Sequence, residues 1–305
     1  MTFQSLLDVF SDPEQLPSAA QLASLSHLDR EDVALLAETW EDVDAERKRR
    51  TLIQMAEMAE DNVDLNFDAA YKLSLRDEDG SVRAAALRGL LEYEGTDLIS
   101  VLAEMLREDA DIEVRGEAAI ALGRYALEAE LGHMDEKYRD VIAEVLIESA
   151  EDNDEDEGVR AKAIEALGAL SGEETDNLIE SIYAEDSLTL KIGAVDAMGR
   201  SCNEFWLPIV LKEMEHRAPI MRHAAAFAAG EIEDEEAVGP LQRMAIQDPD
   251  REVRIAAIRA LGEIGGNRAS VALKTVLYEG NDDDREVILE VQQEMSFRDD
   301  PLRPI

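Results

Sequence analysis

The phrase DREVRIAAIRALGEIG, residues 250–265, decides the fold. Aspartate stands at 250, a Val-Arg pair at 253–254, then Ala257, Leu261 and Gly262. The chain repeats itself in DIEVRGEAAIALGRY (111–125) and DGSVRAAALRGLLEY (79–93). Aligned on the basic residue, six copies fall at Arg83, Arg115, Arg160, Lys191, Arg222 and Arg254, spaced 32, 45, 31, 31 and 32 apart. A period in the low thirties marks a solenoid of helix pairs, and the 45 marks an insertion. A weaker copy, ERKRRTLIQMAEMA, precedes these with Arg50 as the counterpart residue, and a degenerate one, DREVILEVQQEM, follows with Ile288 in the arginine place.

Each position has a physical task. Four residues before the basic residue stand Asp79, Asp111, Asp156 and Asp250, with Asp284 likewise before Ile288. These occupy N-cap positions, where a carboxylate accepts the orphan N–H groups of the first turn and complements the helix dipole. Six before stand Asp77, Asp109, Asp154 and Asp248, and Asp282 before Ile288. They belong to the preceding turn, where aspartate folds back onto backbone N–H groups. Val253, Ala257, Ile258, Ala260, Leu261 and Ile264 line one helical face. Four residues after the valine place, all six copies carry alanine: Ala86, Ala118, Ala163, Ala194, Ala225 and Ala257. So small a side chain lets two helices approach closely. Glycine closes the motif at Gly123, Gly168, Gly199, Gly230 and Gly262.

A second amphipathic segment precedes each phrase, as in TDLISVLAEMLRED (96–109), EFWLPIVLKEMEH (204–216) and EAVGPLQRMAIQD (236–248). The unit is helix A, a tight turn containing aspartate, then helix B. The fold expected is all-α: a right-handed α-solenoid, or superhelix, of about eight helix pairs. Residues 1–29 form an N-terminal helical cap with helices near 2–10 and 18–27. Residues 30–297 form one continuous solenoid, and 298–305 a frayed C-terminal tail.

The pattern D-x-D-x-x-V-R-x-x-A-A-x-A-L-G, best carried by 109–123, 152–168 and 248–262, resembles HEAT repeats, especially the bacterial phycobilisome-lyase HEAT-like subtype. The resemblance covers about 76–297 and speaks to architecture. It implies an Asp/Arg ladder linking successive repeats, carried here by Asp79 and Arg83, Asp111 and Arg115, Asp156 and Arg160, and Asp250 and Arg254. Arg222 lacks such an acid, since Arg217, Ala218 and Pro219 precede it, and its rung is left open by the pattern.

Composition narrows the function. The chain has 305 residues, 46% of them hydrophobic, and a net charge of −40 from 70 acidic and 30 basic side chains. Phosphate contacts need lysine and arginine, so nucleic-acid and anionic-membrane binding are disfavoured. The single cysteine, Cys202, permits no intrachain disulfide, which suits a reducing compartment. The N-terminus MTFQSLLDVFSDPEQL has neither the basic region nor the long apolar run of a signal peptide. A cytoplasmic location is the expectation.

Catalytic patterns are weak. HEAT-type iron hydroxylases carry His-Glu pairs, whereas His27, His133, His216 and His223 are scattered and none precedes glutamate. His216 and His223 flank a turn and read as surface residues. Asp152, Asp154 and Asp156 have calcium-loop spacing, but Glu157 and Ala163 stand where an EF-hand needs glycine and glutamate, so a solvated turn is the reading. In ERKRR (46–50) one arginine belongs to the ladder and the others face solvent. No catalytic residue, metal site or cofactor is expected, and the chain is read as not an enzyme.

B helices in such solenoids line the concave side. Two, six and ten residues after the valine place, their outward positions include Ile120, Arg124, Ile192, Asp196, Arg200, His223, Phe227, Glu231, Ile255, Arg259 and Glu263. Across all six copies these positions carry four arginines against five acids, nearly neutral in a strongly acidic chain. Ile120, Phe227 and Ile255 gain nothing from facing water unless something covers them. The function expected is a protein-protein interaction scaffold that binds a protein or peptide of unknown identity along this face. Arg124, Arg200 and Arg259 would pair carboxylates, Ile120 and Phe227 would anchor, and His223 and Trp206 are further candidates. Trp206 reads either as a core residue of helix A or as an exposed aromatic anchor. The alternatives are a phycobilin-lyase-like enzyme or accessory factor, and an acidic surface that sequesters basic proteins.

Overall fold

Alternating amphipathic segments separated by aspartate turns fold as pairs of antiparallel-packing helices, because neither helix can bury its apolar stripe alone. The computed structural model describes residues 3–12 and 15–299, and every regular element among them is helical. A helices at Arg30–Trp40, Asp68–Ser74, Asp97–Glu108, Glu136–Glu151, Glu173–Tyr183, Leu207–Glu213, Val238–Gln247 and Gly266–Glu279 alternate with B helices. The B helices span Ala45–Asp61, Gly80–Gly89, Ile112–Glu130, Glu157–Leu167, Leu188–Arg200, Pro219–Ile232, Arg251–Ile264 and Arg285–Asp299. This makes eight pairs of an α-solenoid. The helix Phe3–Phe10 and the short helix Ala19–Leu22, which runs into a 3-10 turn at Ala23–Leu25, stand before them. The insertion between Arg115 and Arg160 goes into helix length: Ile112–Glu130 has 19 residues and Glu136–Glu151 has 16. Of the C-terminal tail, 298–299 still belong to the last helix, and 300–305 lie outside the described residues.

The chain forms two compact units, Met1–Tyr125 and Ala126–Ile305. Among the described residues, no helix is long and apolar enough to cross a membrane.

The aspartates four residues before the basic residue are N-caps. Asp79 accepts from the Ser81 N–H, Asp111 from Glu113, Asp156 from Gly158 and Val159, and Asp250 from Glu252 and Val253. Each such cap stabilises by about 1 kcal/mol. They are not the acids of the ladder. In the rungs, a B-helix cation reaches forward to the acid in the turn of the next repeat. Arg83 grips Asp109 with two bonds of 2.8 and 2.6 Å. Arg160 meets Glu185 at 2.8 Å, and Arg254 meets Asp284 at 2.6 Å. Arg222, whose rung the sequence left open, grips Asp248 at 2.7 and 2.8 Å. It needs no acid in its own repeat because, as for Arg83, Arg160 and Arg254, the partner comes from the following one. The same guanidinium also donates backward to the carbonyl six residues before it: Arg83 to Asp77, Arg115 to Asp109, Arg222 to His216 and Arg254 to Asp248.

The first repeat departs from the expected register. The buried rung is Lys48 to Asp77 at 2.8 Å, four residues after the capping Asp44. Arg49 and Arg50 instead pair with Glu46 on the surface. Arg47, also buried, donates to the carbonyls of Val9, Phe10, Asp12 and Gln15. It satisfies the orphan C-terminal carbonyls of the first helix and so ties the cap to the first repeat. In the last repeat Asp284 is the 1% exposed ladder acid rather than an N-cap, a shift of two residues in the degenerate phrase.

Small residues set the spacing of the B helices. All six alanines of the motif are fully buried. Gly168 caps the end of its helix, whereas Gly123, Gly199, Gly230 and Gly262 lie inside theirs. Several of the chain's glycines are sites of close contact between helices. A Cβ at Gly199 would stand 2.6 Å from the Ala228 Cα, and one at Gly193 would stand 2.5 Å from the Ala161 carbonyl oxygen. Gly168 meets the backbone of Ala197, and Gly262 meets Val291. With no room for a methyl group, adjacent B helices of the second unit lie against each other and form a stiff floor.

Candidate binding surface

The B helices of residues 157–264 present a grid of equivalent positions. One row holds Ala161, Ile192, His223 and Ile255; the next holds Glu165, Asp196, Phe227 and Arg259; the third holds Ala169, Arg200, Glu231 and Glu263. Helical spacing of four residues places these rows on one face. Phe227 keeps 43% of its surface exposed, with the exposed His223 one turn before it and the half-buried Ile192 and Ile255 on the neighbouring helices. An aromatic ring in mid-helix, above a buried alanine floor, loses burial energy of about 1.5–3 kcal/mol by staying open to water.

The arginines of this face divide into engaged and free. Arg200 reaches back to Glu165 of the preceding repeat, with Nε 3.0 Å from its carboxylate. Arg259 is exposed and makes no ion pair among the described residues. Arg298 covers Glu263 at 3.2 Å and donates to the Gly262 carbonyl. Asp196, half-buried between these groups, has its carboxyl pushed up to about 7 by burial and then by the charge of Glu165, against the pull of Arg200. Burial also raises Glu231, with Glu263 and Glu233 adding to it and Arg200 opposing. The Cys202 thiol is raised by burial and by Glu231 and Glu233. This face is therefore less negative near neutral pH than its formal charges suggest.

Other candidates read from the sequence fall elsewhere. Ile120 and Arg124 lie in the first unit, on Ile112–Glu130. Ile120 is half-buried, and Arg124 donates to the Tyr93 carbonyl and stacks over Tyr125, so its guanidinium is already engaged. Trp206 is 1% exposed and faces the core at the start of its A helix; it is no surface anchor. Its neighbour Phe205, edge-on at 4.9 Å, is the exposed ring at 69%. Alternation between a buried and an exposed aromatic in the sequence Phe-Trp gave no sign of which would turn inward. His216 is half-buried and accepts from the Ala218 N–H at 3.0 Å. Asp152 and Asp156 bind backbone N–H groups of their own turn. Among the described residues, no group of three His, Cys, Asp or Glu side chains could hold a metal ion.

A family model described as HEAT repeats matches residues 68–140 and 207–291. Among solved structures, the CpcE–CpcF complex of phycocyanin lyase from Nostoc sp. PCC7120 is similar at a TM-score of 0.50 and 18% identity, covering 75% of this chain and 94% of that one. Human deoxyhypusine hydroxylase is similar at a TM-score of 0.32 and 18% identity, covering 96% and 94%. The YibA protein of E. coli is similar at 0.44 and 20%, covering 83% and 98%. These likenesses concern the fold. No curated protein matches the chain.

Proposed function

This chain belongs to the HEAT-repeat family, and on that premise we propose that it is a non-enzymatic scaffold. It holds a partner protein or extended peptide along the B-helix face of residues 157–264. The observation that carries this reading is Phe227, 43% exposed in mid-helix on a close-packed floor. An exposed ring on a rigid support is the kind of anchor on which binding energy concentrates. His223 and the free Arg259 supply polar contacts beside it. Preorganised helices lower the entropic cost of association. The net charge of −40 favours a partner that is not nucleic acid, and the lone, exposed Cys202 suits a cytoplasmic setting.

The test is in-cell crosslinking and affinity capture, comparing the wild type with a Phe227→Asp, Arg259→Glu variant whose circular dichroism is unchanged. One stoichiometric partner, lost in the variant, is the expected result. Identical capture from both proteins would remove the B-helix face from the proposal. Capture of basic proteins alone, released by salt, would give the acidic surface the role instead. Visible tetrapyrrole absorbance in the purified protein would favour a chromophore-handling role.

A further inference from the structure

The ladder has a gap, and the gap is electropositive. Lys191 occupies the B-helix position from which Arg160, Arg222 and Arg254 reach forward to an acid. The corresponding place in the next turn is His216, not aspartate or glutamate. Lys191 makes no side-chain hydrogen bond or ion pair among the described residues, and neither does Arg217 in the same turn. The next B helix departs from the pattern as well. Its N-cap is Ala218, with no side chain to accept from the first turn, where Asp44, Asp79, Asp156 and Asp250 serve elsewhere. Pro219 has no N–H, so the Ile220 and Met221 N–H groups open the helix without a side-chain acceptor.

The free Lys191 and the missing ladder acid meet in one cleft of about 640 Å³, lined by Lys191, Lys212, Glu213, Glu215, His216 and Arg217, with Tyr183 at its wall; the uncapped helix begins two residues beyond Arg217, at Pro219. Glu213 is already held by Tyr183 at 2.5 Å and Lys212 at 3.0 Å. Lys191, Lys212 and Arg217 face only Glu213 and Glu215 there, a local excess of positive charge in a chain of net charge −40. We infer that this cleft binds a carboxylate of a partner protein, which takes the place of the missing ladder acid. The ligand class follows from the other rungs, where the group beside the B-helix cation is a carboxylate in every case that the structure resolves. An incoming Asp or Glu side chain would accept from Lys191 and Arg217 and complement the uncapped helix end. Leu188 and Ile220, exposed at the starts of the two B helices, offer apolar contact to residues flanking that acid. The cleft shares no residue with the rows of the B-helix face, so this inference stands or falls apart from the scaffold reading.

The test follows the backbone amides of Ile220, Met221 and Arg222 by NMR in the full chain. The probes are acetyl-Leu-Asp-Leu-amide, its Leu-Asn-Leu counterpart, succinate and inorganic phosphate, each at constant ionic strength. The aspartate peptide should shift these amides saturably, the asparagine peptide should not, and succinate should bind at least tenfold more weakly than the aspartate peptide. His216→Asp supplies the acid internally: it should raise the melting temperature by several degrees and weaken the aspartate peptide at least tenfold. Lys191→Met should weaken the peptide similarly without the gain in melting temperature. Equal shifts from both peptides would overturn the carboxylate assignment. So would phosphate binding without peptide binding, or succinate binding as tightly as the peptide, which would point to a free anion. Undiminished peptide binding in His216→Asp would place the peptide outside the gap.

Discussion

Arg222 leaves its own repeat and clasps Asp248 of the next with two bonds of 2.7 and 2.8 Å. The pair is largely shielded from solvent, and the same guanidinium holds the His216 carbonyl behind it. One side chain thus ties together the turns of two consecutive repeats. Breaking a buried pair by removing one partner costs about 3–5 kcal/mol, because the remaining charge stays buried and unpaired. Asp248→Asn should therefore destabilise the protein far more than Asp250→Ala, which removes only a helix cap worth about 1 kcal/mol. Urea denaturation of both variants checks the order; equal losses would mean that the ladder is not a main fastener.

Gly199→Ala ordinarily favours a helix by about 1 kcal/mol. Here the new methyl group would press on the Ala228 backbone, so the variant should instead lose about 1–3 kcal/mol. Gly239, where an added Cβ meets little beyond the tip of Arg243, is the control, and Gly239→Ala should be neutral or stabilising. A rise in stability for Gly199→Ala would show that the B helices separate readily.

Asp196 predicts a pH dependence of unusual sign. Its folded carboxyl titrates near 7, against an unfolded value near 3.8. Below both values the residue is neutral in either state and costs nothing. Between them the unfolded chain ionises while the folded chain does not, so stability falls as pH rises from about 4 to about 7. Asp196→Asn should remove this slope and stabilise the protein at pH 8 by on the order of 2–4 kcal/mol, at about 1.4 kcal/mol per pH unit. Parallel stability curves for both proteins between pH 5 and 8 would contradict the shift.

Asp109 and Asp248 carry the opposite sign. Burial opposes their ionisation, yet Arg83 and Arg222 hold both carboxyls below the usual carboxylate range. Their contribution is complete above about pH 4 and is lost as pH falls through the lowered folded values. Asp248→Asn should therefore flatten the acid limb of the stability curve below pH 4. An unchanged acid limb would assign acid unfolding to other groups.

Arg47 holds four carbonyls of residues 9–15. Arg47→Met should release the helix Phe3–Phe10, giving fast hydrogen exchange over residues 3–25 while residues 126–299 stay protected. Retained protection at the N-terminus would leave the apolar contacts of Leu6, Leu7 and Phe10 as its sufficient anchor.

The sequence by itself determined the repeat, the helix pairing and the caps. Those features are local: an aspartate at an N-cap and an apolar stripe at helical spacing act within a few residues of chain, so their signature is written in order. It also marked the small residues, because all six alanines fell on the buried face. Only the tertiary structure decided who pairs with whom. Arg222 looked unpartnered within its own phrase, and Arg50 looked like a ladder residue, because the ladder joins positions 25 to 30 residues apart and in different repeats. The glycines read as the close of the motif, and Gly168, Gly199 and Gly230 are contact points with backbone about 30 residues away. Phe205 and Trp206 stand side by side, and a third of a turn of 3-10 helix sends one into water and the other into the core. Of the positions read as outward, His223, Phe227 and Arg259 are exposed, while Ile120, Ile192 and Ile255 are half-buried and Ala84 and Ala161 are buried. Which arginines remain free on that face was decided by contacts between repeats, which a local reading of the chain does not contain.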